Sequence, residues 1–389
     1  MSTILAHAGV DQALAVDPVA PPLYQTAAFA SNDADAFVEA ATMPRHPGFY
    51  TRYGNPTTRA FETAVAALEG GEAAIATASG MAAITAAVMT FAAQGDHIVA
   101  QRSLYGGTTG WLHSIAPRIG IDVSFVDQTD ADAFARALRP STRLLMLESP
   151  SNPMMRLTDL AAVAAIARAA GVVTLIDSTV ASPVNQQPLA LGIDLVMHSA
   201  TKYLAGHGDV TAGVLVGSLG HIAAVWEQAY LLGATLDPHA AWLALRGLRT
   251  LPMRMAHYNA TAQTVAEHLQ RQPAVAAVHY PGLPTHPQAA LARRQMPGGF
   301  GGVLSFEVKG GLDAAEAVIA GLKHARRSAS FGSFSTLVVH PAAMWTGMMS
   351  PEQLAEAGLP PGLVRLAVGF EEPEAIIADL NKALMGVST

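Results

Sequence analysis

The chain has 389 residues, of which 51% are hydrophobic and only 14% are charged, and its formal net charge is −7. This length exceeds one ordinary hydrophobic core, so we expect two domains or one large domain with an appendage. The acidic balance excludes a nucleic-acid or acidic-membrane partner, and the absence of cysteine excludes disulfides and thiolate chemistry.

The N-terminal part predicts an arm rather than a domain. Residues 1–7 lack the basic start and apolar core of a signal peptide. The apolar stretch 82–93 is too short to span a bilayer, so we expect a soluble, cytoplasmic protein. Five prolines interrupt any periodic pattern in the first fifty or so residues, at Pro18, Pro21, Pro22, Pro44 and Pro47. Residues 1–54 are therefore predicted to form an irregular, extended arm.

From about residue 59 the pattern alternates between helices and short apolar runs. Helical spacing covers Thr58–Leu68, Gly80–Ala93 and Leu160–Ala170. The strand-like runs are Ile98–Ala100, Val123–Val126, Leu144–Leu147, Val172–Ile176, Leu195–Met197 and Gly213–Val216. Continuous apolar strands joined by helices predict an α/β domain over residues 55–252, with a mostly parallel sheet covered on both faces.

After Arg249 the pattern changes to that of a smaller α+β domain, residues 253–389. A long helix is predicted around 255–270, followed by a linker rich in proline and glycine. The strand Val303–Val308 comes next, and two further helices are predicted near 312–322 and 374–384.

Polar side chains follow several of the predicted strands at their carboxyl ends. They occur in Glu148–Pro153, in Asp177–Thr179 and in Ser199–Lys202. In parallel sheets such residues converge on the ligand. An aspartate directly after an apolar strand needs a cationic or hydrogen-bonding partner, and a protonated pyridine nitrogen is one. The turn 79–81 opens a helix whose free amides suit a phosphate.

Lysine is rare in this chain, which makes Lys202 informative. Its four lysines are Lys202, Lys309, Lys323 and Lys382. Only Lys202 follows an apolar run and neighbouring hydroxyls, and a desolvated amine is a usable nucleophile. Such a lysine suits a Schiff base with an aldehyde cofactor.

These residues resemble those of the transsulfuration (Cys/Met metabolism) family of fold-type I enzymes that depend on pyridoxal 5′-phosphate (PLP). The family includes methionine and cystathionine γ-lyases, cystathionine γ-synthase and homoserine-ester sulfhydrylases. The similarity covers nearly the whole chain and is densest in Phe49–Thr57, Ala78–Met81, Leu104–Thr108, Glu148–Pro153, His198–Asp209 and Leu363–Gly369. It implies a seven-stranded, mostly parallel sheet with helices on both faces, plus the arm and the smaller C-terminal domain.

The resemblance implies roles around the cofactor. Lys202 would carry PLP and move a proton at the substrate, Asp177 would pair with the pyridinium nitrogen, and Tyr105 would stack on the ring and act at the leaving group. The phosphate would be held by a set of amides and hydroxyls, from Gly80, Met81, Ser199 and Thr201. No metal site is predicted.

The resemblance also implies contacts beyond one subunit's cofactor site. Tyr50 and Arg52 of the arm would reach the phosphate in a neighbouring subunit, so a homo-oligomer is expected, as a dimer of dimers. Substrate would be bound by Arg365 at its α-carboxylate, because a guanidinium grips two oxygens at once. Asn152, Ser330 and Tyr50 would assist.

Four positions depart from the family pattern. Gly110 replaces an arginine that many relatives place five residues beyond the stacking tyrosine, and Gly107 replaces the cysteine usual in methionine γ-lyases. Val180 stands where an aromatic residue is common, and Ser335 stands where a glutamate is common. Together these changes favour a small or apolar distal group on the substrate.

We therefore predict a PLP-dependent carbon–sulfur lyase that performs γ-elimination on a sulfur-containing L-amino acid such as methionine or cystathionine. The alternatives are γ-replacement, as in cystathionine γ-synthase or O-acylhomoserine sulfhydrylase, and β-elimination. A PLP-binding carrier would not need the proton shuttle. A nucleotide-binding protein would need a Gly-x-Gly-x-x-Gly or P-loop motif, which is absent.

Overall fold

The computed structural model describes residues 1–7, 18–345 and 358–386. The chain divides into two compact units, and each of them is built from separate stretches of sequence. The first unit comprises Met1–Glu148, Leu160–Thr179 and Gln187–Pro252. The second comprises Ser149–Asp159, Val180–Gln186 and Met253–Thr389. Within the described residues, no helix combines the length and the hydropathy needed to cross a membrane.

The first unit contains a seven-stranded sheet. Its strands are β1 (Ala73–Thr77), β2 (His97–Gln101), β3 (Asp122–Val126), β4 (Thr142–Glu148), β5 (Val173–Asp177), β6 (Leu195–Ser199) and β7 (Gly213–Gly217). They are arranged in the order β1-β7-β6-β5-β4-β2-β3. Only β7 runs antiparallel to its neighbours. The predicted fold class, with a mostly parallel sheet, is confirmed.

Helices account for most of the remaining regular structure in the described part of the chain. In chain order they are α1 (Ser2–His7), α2 (Ala34–Thr42), α3 (Pro56–Glu69), α4 (Gly80–Phe91), α5 (Gly106–Ser114), α6 (Ala131–Ala137), α7 (Leu160–Ala170), α8 (Ser182–Asn185), α9 (Leu219–Ala229), α10 (Pro238–Leu248), α11 (Leu251–Leu269), α12 (Ala289–Gln295), α13 (Gly311–Gly321), α14 (Pro341–Trp345) and α15 (Pro373–Met385).

The expectation of an irregular arm was partly wrong, because α1 and α2 are helical. Helix α2 begins after the N-cap residue Asp33, and none of the five prolines lies within it. Asp33 accepts a hydrogen bond from the backbone N–H of Ala36, at 2.7 Å from N to Oδ1, and four of the nine helical residues are alanine, the best helix former.

Both faces of the large sheet are buried, as the continuous apolar strands predicted. Alternate residues of β4 belong to different core clusters: Leu144 and Met146 pack with the residues of α4, whereas Leu145 and Leu147 pack with those of α7. This alternation follows from the two-residue period of a strand. Because both faces of the strands are buried and apolar, the polar side chains lie at the strand ends.

The second unit contains a five-stranded sheet. Its strands are β8 (Val275–His279), β9 (Val303–Val308), β10 (Arg326–Arg327), β11 (Leu337–Val339) and β12 (Leu363–Ala367), in the order β10-β11-β12-β9-β8. Only the short β10–β11 pair is parallel.

Two early stretches of the chain are tied into this second unit by side-chain amides. Gln288 bonds both backbone groups of Leu157, at 2.8 Å and 2.7 Å. Asn259 and Asn185 exchange two side-chain hydrogen bonds, at 2.9 Å and 3.1 Å. These contacts explain why Ser149–Asp159 and Val180–Gln186 belong to the unit formed largely by the last third of the chain.

Candidate active site

Asp177 ends β5 at the carboxyl edge of the large sheet, where it is half-buried. Its carboxylate accepts a hydrogen bond from the backbone N–H of Thr179, at 2.9 Å from N to Oδ1, and the Thr179 side chain also lowers the pKa of the carboxyl. Burial raises the pKa of the Asp177 carboxyl, and the Thr179 hydrogen bonds, His198 and Lys202 act in the opposite direction. A cation bound here would stabilise the charged carboxylate.

Lys202 lies in the turn that follows β6. Its backbone N–H donates to the carbonyl of Ser199 at 3.1 Å, and its own carbonyl accepts from Gly206 at 2.8 Å. The chain therefore turns directly after the strand and keeps Lys202 within electrostatic reach of Asp177. The two residues singled out at neighbouring strand ends are neighbours in the structure.

The start of α4 lies against the end of β6. Ser79 caps the helix, because its hydroxyl accepts from the backbone N–H of Ala82 at 3.1 Å. A Cβ atom added to Gly80 would lie 3.1 Å from the Cβ of Ser199. The first amides of the helix, at Gly80 and Met81, thus adjoin the Ser199 side chain, and a helix N-terminus of this kind suits an anion.

Thr201, the other hydroxyl expected at a phosphate, is bonded within the protein. Its hydroxyl donates to the carbonyl of Ala212 at 3.2 Å and accepts from the backbone N–H of the same residue at 3.0 Å. Because a hydroxyl carries one proton, Thr201 can donate to a ligand only by giving up this bond. In the present arrangement it closes the turn that carries Lys202.

Tyr105 precedes α5 and has a side chain that is 53% exposed. Its backbone N–H donates to Glu148 at the end of β4, at 2.6 Å from N to Oε2. A Cβ atom on Gly107 would lie 2.6 Å from Cε1 of the tyrosine ring and 3.1 Å from the sulfur of Met81. Glycine at position 107 therefore allows the ring to lie over the start of its own helix, beside Met81.

The arm residues Tyr50 and Arg52 lie in an aromatic cluster of the first unit. The Arg52 guanidinium carbon is 5.7 Å from the ring centroid of Tyr50 and 5.1 Å from that of Tyr53. Arg52 also donates to the carbonyl of Tyr230 at 3.3 Å. Both arm side chains are exposed, so this chain presents them at its surface.

Three of the four residues expected to bind substrate, Arg365, Asn152 and Ser330, belong to the second unit, whereas Tyr50 belongs to the first. Arg365 lies on β12, is 5% exposed and donates from Nη2 to the carbonyl of Ser330 at 2.8 Å. Its neighbour across the sheet is Ser305 on β9, whose hydroxyl donates to the carbonyl of Pro153 at 2.8 Å. The turn that contains Asn152 therefore lies beside the strand pair that carries Arg365.

Sequence reasoning placed Thr179 and Glu148 among the polar residues at strand ends but gave neither of them a role, and both contact this group. Thr179 binds Asp177, and Glu148 binds the Tyr105 backbone. Glu148 is in turn held by Gln101, whose side-chain amide bonds its backbone N–H at 2.9 Å and its carbonyl at 2.8 Å. Their position directly at strand ends was the available signal, but their partners depend on side-chain geometry.

The residues of the first unit fit PLP, which has a phosphate, a pyridine nitrogen that can carry a proton, and an aldehyde. The N-terminus of α4 beside Ser199 suits the phosphate. Asp177, whose burial disfavours an uncompensated negative charge, suits the protonated ring nitrogen. Lys202 supplies an amine near this carboxylate. A Cβ atom at position 80 would make a tight contact with Ser199, so the two residues approach closely.

Comparisons with known proteins agree with this fit. A family model described as Cys/Met metabolism PLP-dependent enzyme matches residues 2–385. The chain is 42% identical to an L-methionine gamma-lyase of Pseudomonas putida over 98% of this chain and 96% of the relative. It is 45% identical to an O-succinylhomoserine sulfhydrylase of Pseudomonas aeruginosa over 86% of this chain and 83% of the relative.

A solved structure is also similar along its whole length. It is the crystal structure of a cystathionine gamma synthase from Xanthomonas oryzae pv. oryzae in complex with aminoacrylate and cysteine. The TM-score is 0.92 at 37% sequence identity, and the match covers 99% of this chain and 97% of the other. The chain belongs to the Cys/Met metabolism family of PLP-dependent enzymes.

Proposed function

We propose that this enzyme performs γ-elimination on a sulfur-containing L-amino acid such as methionine or cystathionine, consuming one water molecule and giving 2-oxobutanoate, ammonia and a thiol. The observation that carries the proposal is the 42% identity, over 98% of the chain, with a relative named L-methionine gamma-lyase. The local structure near Tyr105 supports a small or apolar distal group, because Gly110 brings no charge and has no atom within 4 Å of an added Cβ.

When bound, PLP supplies an electron sink for negative charge at the substrate's Cα. Lys202 would hold the cofactor through its amine and, once the substrate's amine has taken that place, remove the proton from Cα. Asp177 would accept the N–H of the protonated ring nitrogen. The hydroxyl of Tyr105 would stand at the sulfur, where it donates a proton to the departing thiolate.

The phosphate would be held by Ser199 and Thr201 and by the amides of Gly80 and Met81. Tyr50 and Arg52 would complete the site of a neighbouring subunit, which is supported by their exposure on this chain. We therefore expect a homo-oligomer, most simply a dimer of dimers. A cytoplasmic location fits the absence of cysteine.

The α-carboxylate of the substrate would be bound by Arg365, which is buried and already held by Ser330. Asn152, Ser330 and Tyr50 would contribute further contacts. A guanidinium suits this task because two of its N–H groups can donate to both oxygens of one carboxylate.

A second candidate is γ-replacement, in which an added thiol takes the place of the leaving group. It is favoured by the 45% identity with the relative named O-succinylhomoserine sulfhydrylase. Ser335 stands where relatives commonly have a glutamate. Position 335 therefore has no charged side chain that would favour elimination or replacement. β-Elimination is the third possibility.

One panel of substrates tests these reactions. The purified protein is incubated with methionine, homocysteine, cystathionine, O-acetylhomoserine and O-succinylhomoserine, each with and without an added thiol. Formation of 2-oxobutanoate without thiol supports γ-elimination, thioether formed only with thiol indicates γ-replacement, and pyruvate indicates β-elimination. The Lys202→Ala variant is the control for background reaction. A strong preference for cystathionine over methionine would contradict the argument from the missing distal charges.

A further inference from the structure

Thr179 lies directly after β5 and bonds two strand ends at once. Its hydroxyl oxygen accepts from the backbone N–H of Ser199, at 2.8 Å. The backbone N–H of Thr179 donates to the carboxylate of Asp177 at 2.9 Å, and the Thr179 side chain acts with it to lower the pKa of that carboxyl. One buried residue, 7% exposed, thus connects the ends of β5 and β6.

The direction of these bonds follows from their partners. The backbone N–H of Ser199 can only donate, so the Thr179 oxygen accepts there and its single proton remains available to Asp177. The backbone N–H and the side chain of Thr179 both favour the charged form of the Asp177 carboxylate against the effect of burial. The bond to Ser199 also fixes the backbone of the residue that adjoins the start of α4.

We propose that Thr179 is a positioning residue whose hydroxyl sets the geometry of both ends of the cofactor site, through Asp177 at the ring nitrogen and Ser199 at the phosphate. This proposal rests on the proposed function, because it takes Asp177 and Ser199 as PLP-binding residues. It assigns to Thr179 no contact with the reacting atoms.

The same sheet contains a matched control. Thr174, near the amino end of β5, donates from its hydroxyl to Asp194 at 2.7 Å and accepts from the backbone N–H of Asp194 at 2.8 Å. Its own backbone N–H donates to the same carboxylate at 2.9 Å. Thr174 therefore binds a carboxylate and a backbone N–H as Thr179 does, but both belong to Asp194, directly before β6, at the opposite edge of the sheet.

The test compares three variants, Thr179→Val, Thr179→Ser and Thr174→Val. Each apo-protein is titrated with PLP, and the dissociation constant is measured from protein fluorescence and from visible absorption of the bound cofactor. Removal of a bond to a charged group should weaken PLP binding about 10- to 100-fold in Thr179→Val. The pH midpoint of the visible absorption should also shift. Thr179→Ser should stay within about threefold of wild type, because it keeps the hydroxyl.

The Thr174→Val variant should lose stability in urea yet bind PLP about as tightly as wild type. The proposal is overturned if Thr179→Val binds PLP within about threefold of wild type with an unchanged pH midpoint, or if Thr174→Val weakens binding as much. If Thr179→Val does not fold, the same titrations on Thr179→Ala and Thr179→Ser decide, and equal affinity in these two overturns it. Failure of the wild-type protein to bind PLP would instead contradict the proposed function.

Discussion

The two edges of the seven-stranded sheet carry similar side chains and differ in how those side chains are satisfied. At the amino edge, both ring nitrogens of His97 are bonded to hydroxyls, Nδ1 to Thr142 at 2.8 Å and Nε2 to Ser124 at 2.9 Å. At the carboxyl edge, Tyr105 is 53% exposed and burial raises the pKa of the Asp177 carboxyl. Polar groups that form their hydrogen bonds with one another indicate a structural role. Polar groups that bind a ligand can form further hydrogen bonds or ion pairs with it.

The largest expected effect comes from the carboxyl edge. Lys202→Ala should lower the turnover rate by about a thousandfold or more, because it removes the amine that holds PLP and moves the Cα proton. Formation of 2-oxobutanoate measures the rate, and urea denaturation measures stability, which should change little. If the Lys202→Ala protein were active, the carboxyl edge would not have the catalytic role that distinguishes it from the amino edge.

The second prediction concerns whether one chain contains all the residues of the active site at the carboxyl edge. Arg52→Ala should be nearly inactive, and so should Lys202→Ala. Mixed subunits of the two variants should recover about a quarter of wild-type activity, because half of random dimers are hybrids and each hybrid has one intact site. The measurement is activity after subunit exchange, with exchange verified by mass spectrometry. No recovery after demonstrated exchange would show that each chain completes its own site.

The third prediction concerns the amino edge. His97→Leu should lower the free energy of unfolding at pH 7 by about 1–3 kcal/mol, because the buried Thr142 hydroxyl and the half-buried Ser124 hydroxyl each lose a hydrogen bond. Activity per folded molecule should be unchanged. Urea denaturation measures the change in stability, and the 2-oxobutanoate assay measures the activity. A loss of activity without a loss of stability would show that this edge also serves the reaction.

His97 also gives the amino edge a defined pH dependence. Burial, and after it the charge of Arg139, lowers the pKa of His97, while Asp122 raises it. The folded state therefore favours the neutral ring, so this stabilisation is present above the ordinary pKa of about 6.5 and is lost as the pH falls from there towards the lowered pKa. The free energy of unfolding should fall less between pH 7 and pH 5 in His97→Leu than in wild type. Equal losses in both would contradict this account.

The smallest predicted effect concerns selectivity at the carboxyl edge. Gly110 is exposed on α5 and has no atom within 4 Å of an added Cβ, so an arginine fits there. Gly110→Arg should raise kcat/KM for cystathionine or O-succinylhomoserine relative to methionine by roughly tenfold, because it pairs a distal carboxylate. Gly110→Gln, which adds a polar side chain without charge, is the control. An equal change in both variants would mean that charge is not the cause.

The sequence was most informative where local pattern and tertiary structure agree. The continuous apolar runs predicted the strands β2 to β7, because strands buried on both faces need no alternation. Strand β1 escaped notice, since its alanine-rich run resembles a helix (Ala73–Thr77). Asp177 and Lys202 could be placed by the rule that strand ends converge. The two bonds of Thr179 could not, because they depend on side-chain direction at one position.

The interleaved path of the chain has a consequence for synthesis on the ribosome. The stretch Ser149–Asp159 leaves the ribosome long before Gln288, its hydrogen-bond partner through Leu157, and Asn185 precedes Asn259 by 74 residues. The second unit cannot complete its five-stranded sheet until β12, at Leu363–Ala367, has been made. Before Asn259 and Gln288 have been made, Ser149–Asp159 and Val180–Gln186 lack these hydrogen-bond partners. A nascent chain that stalls near residue 252 therefore exposes both stretches to chaperones and proteases.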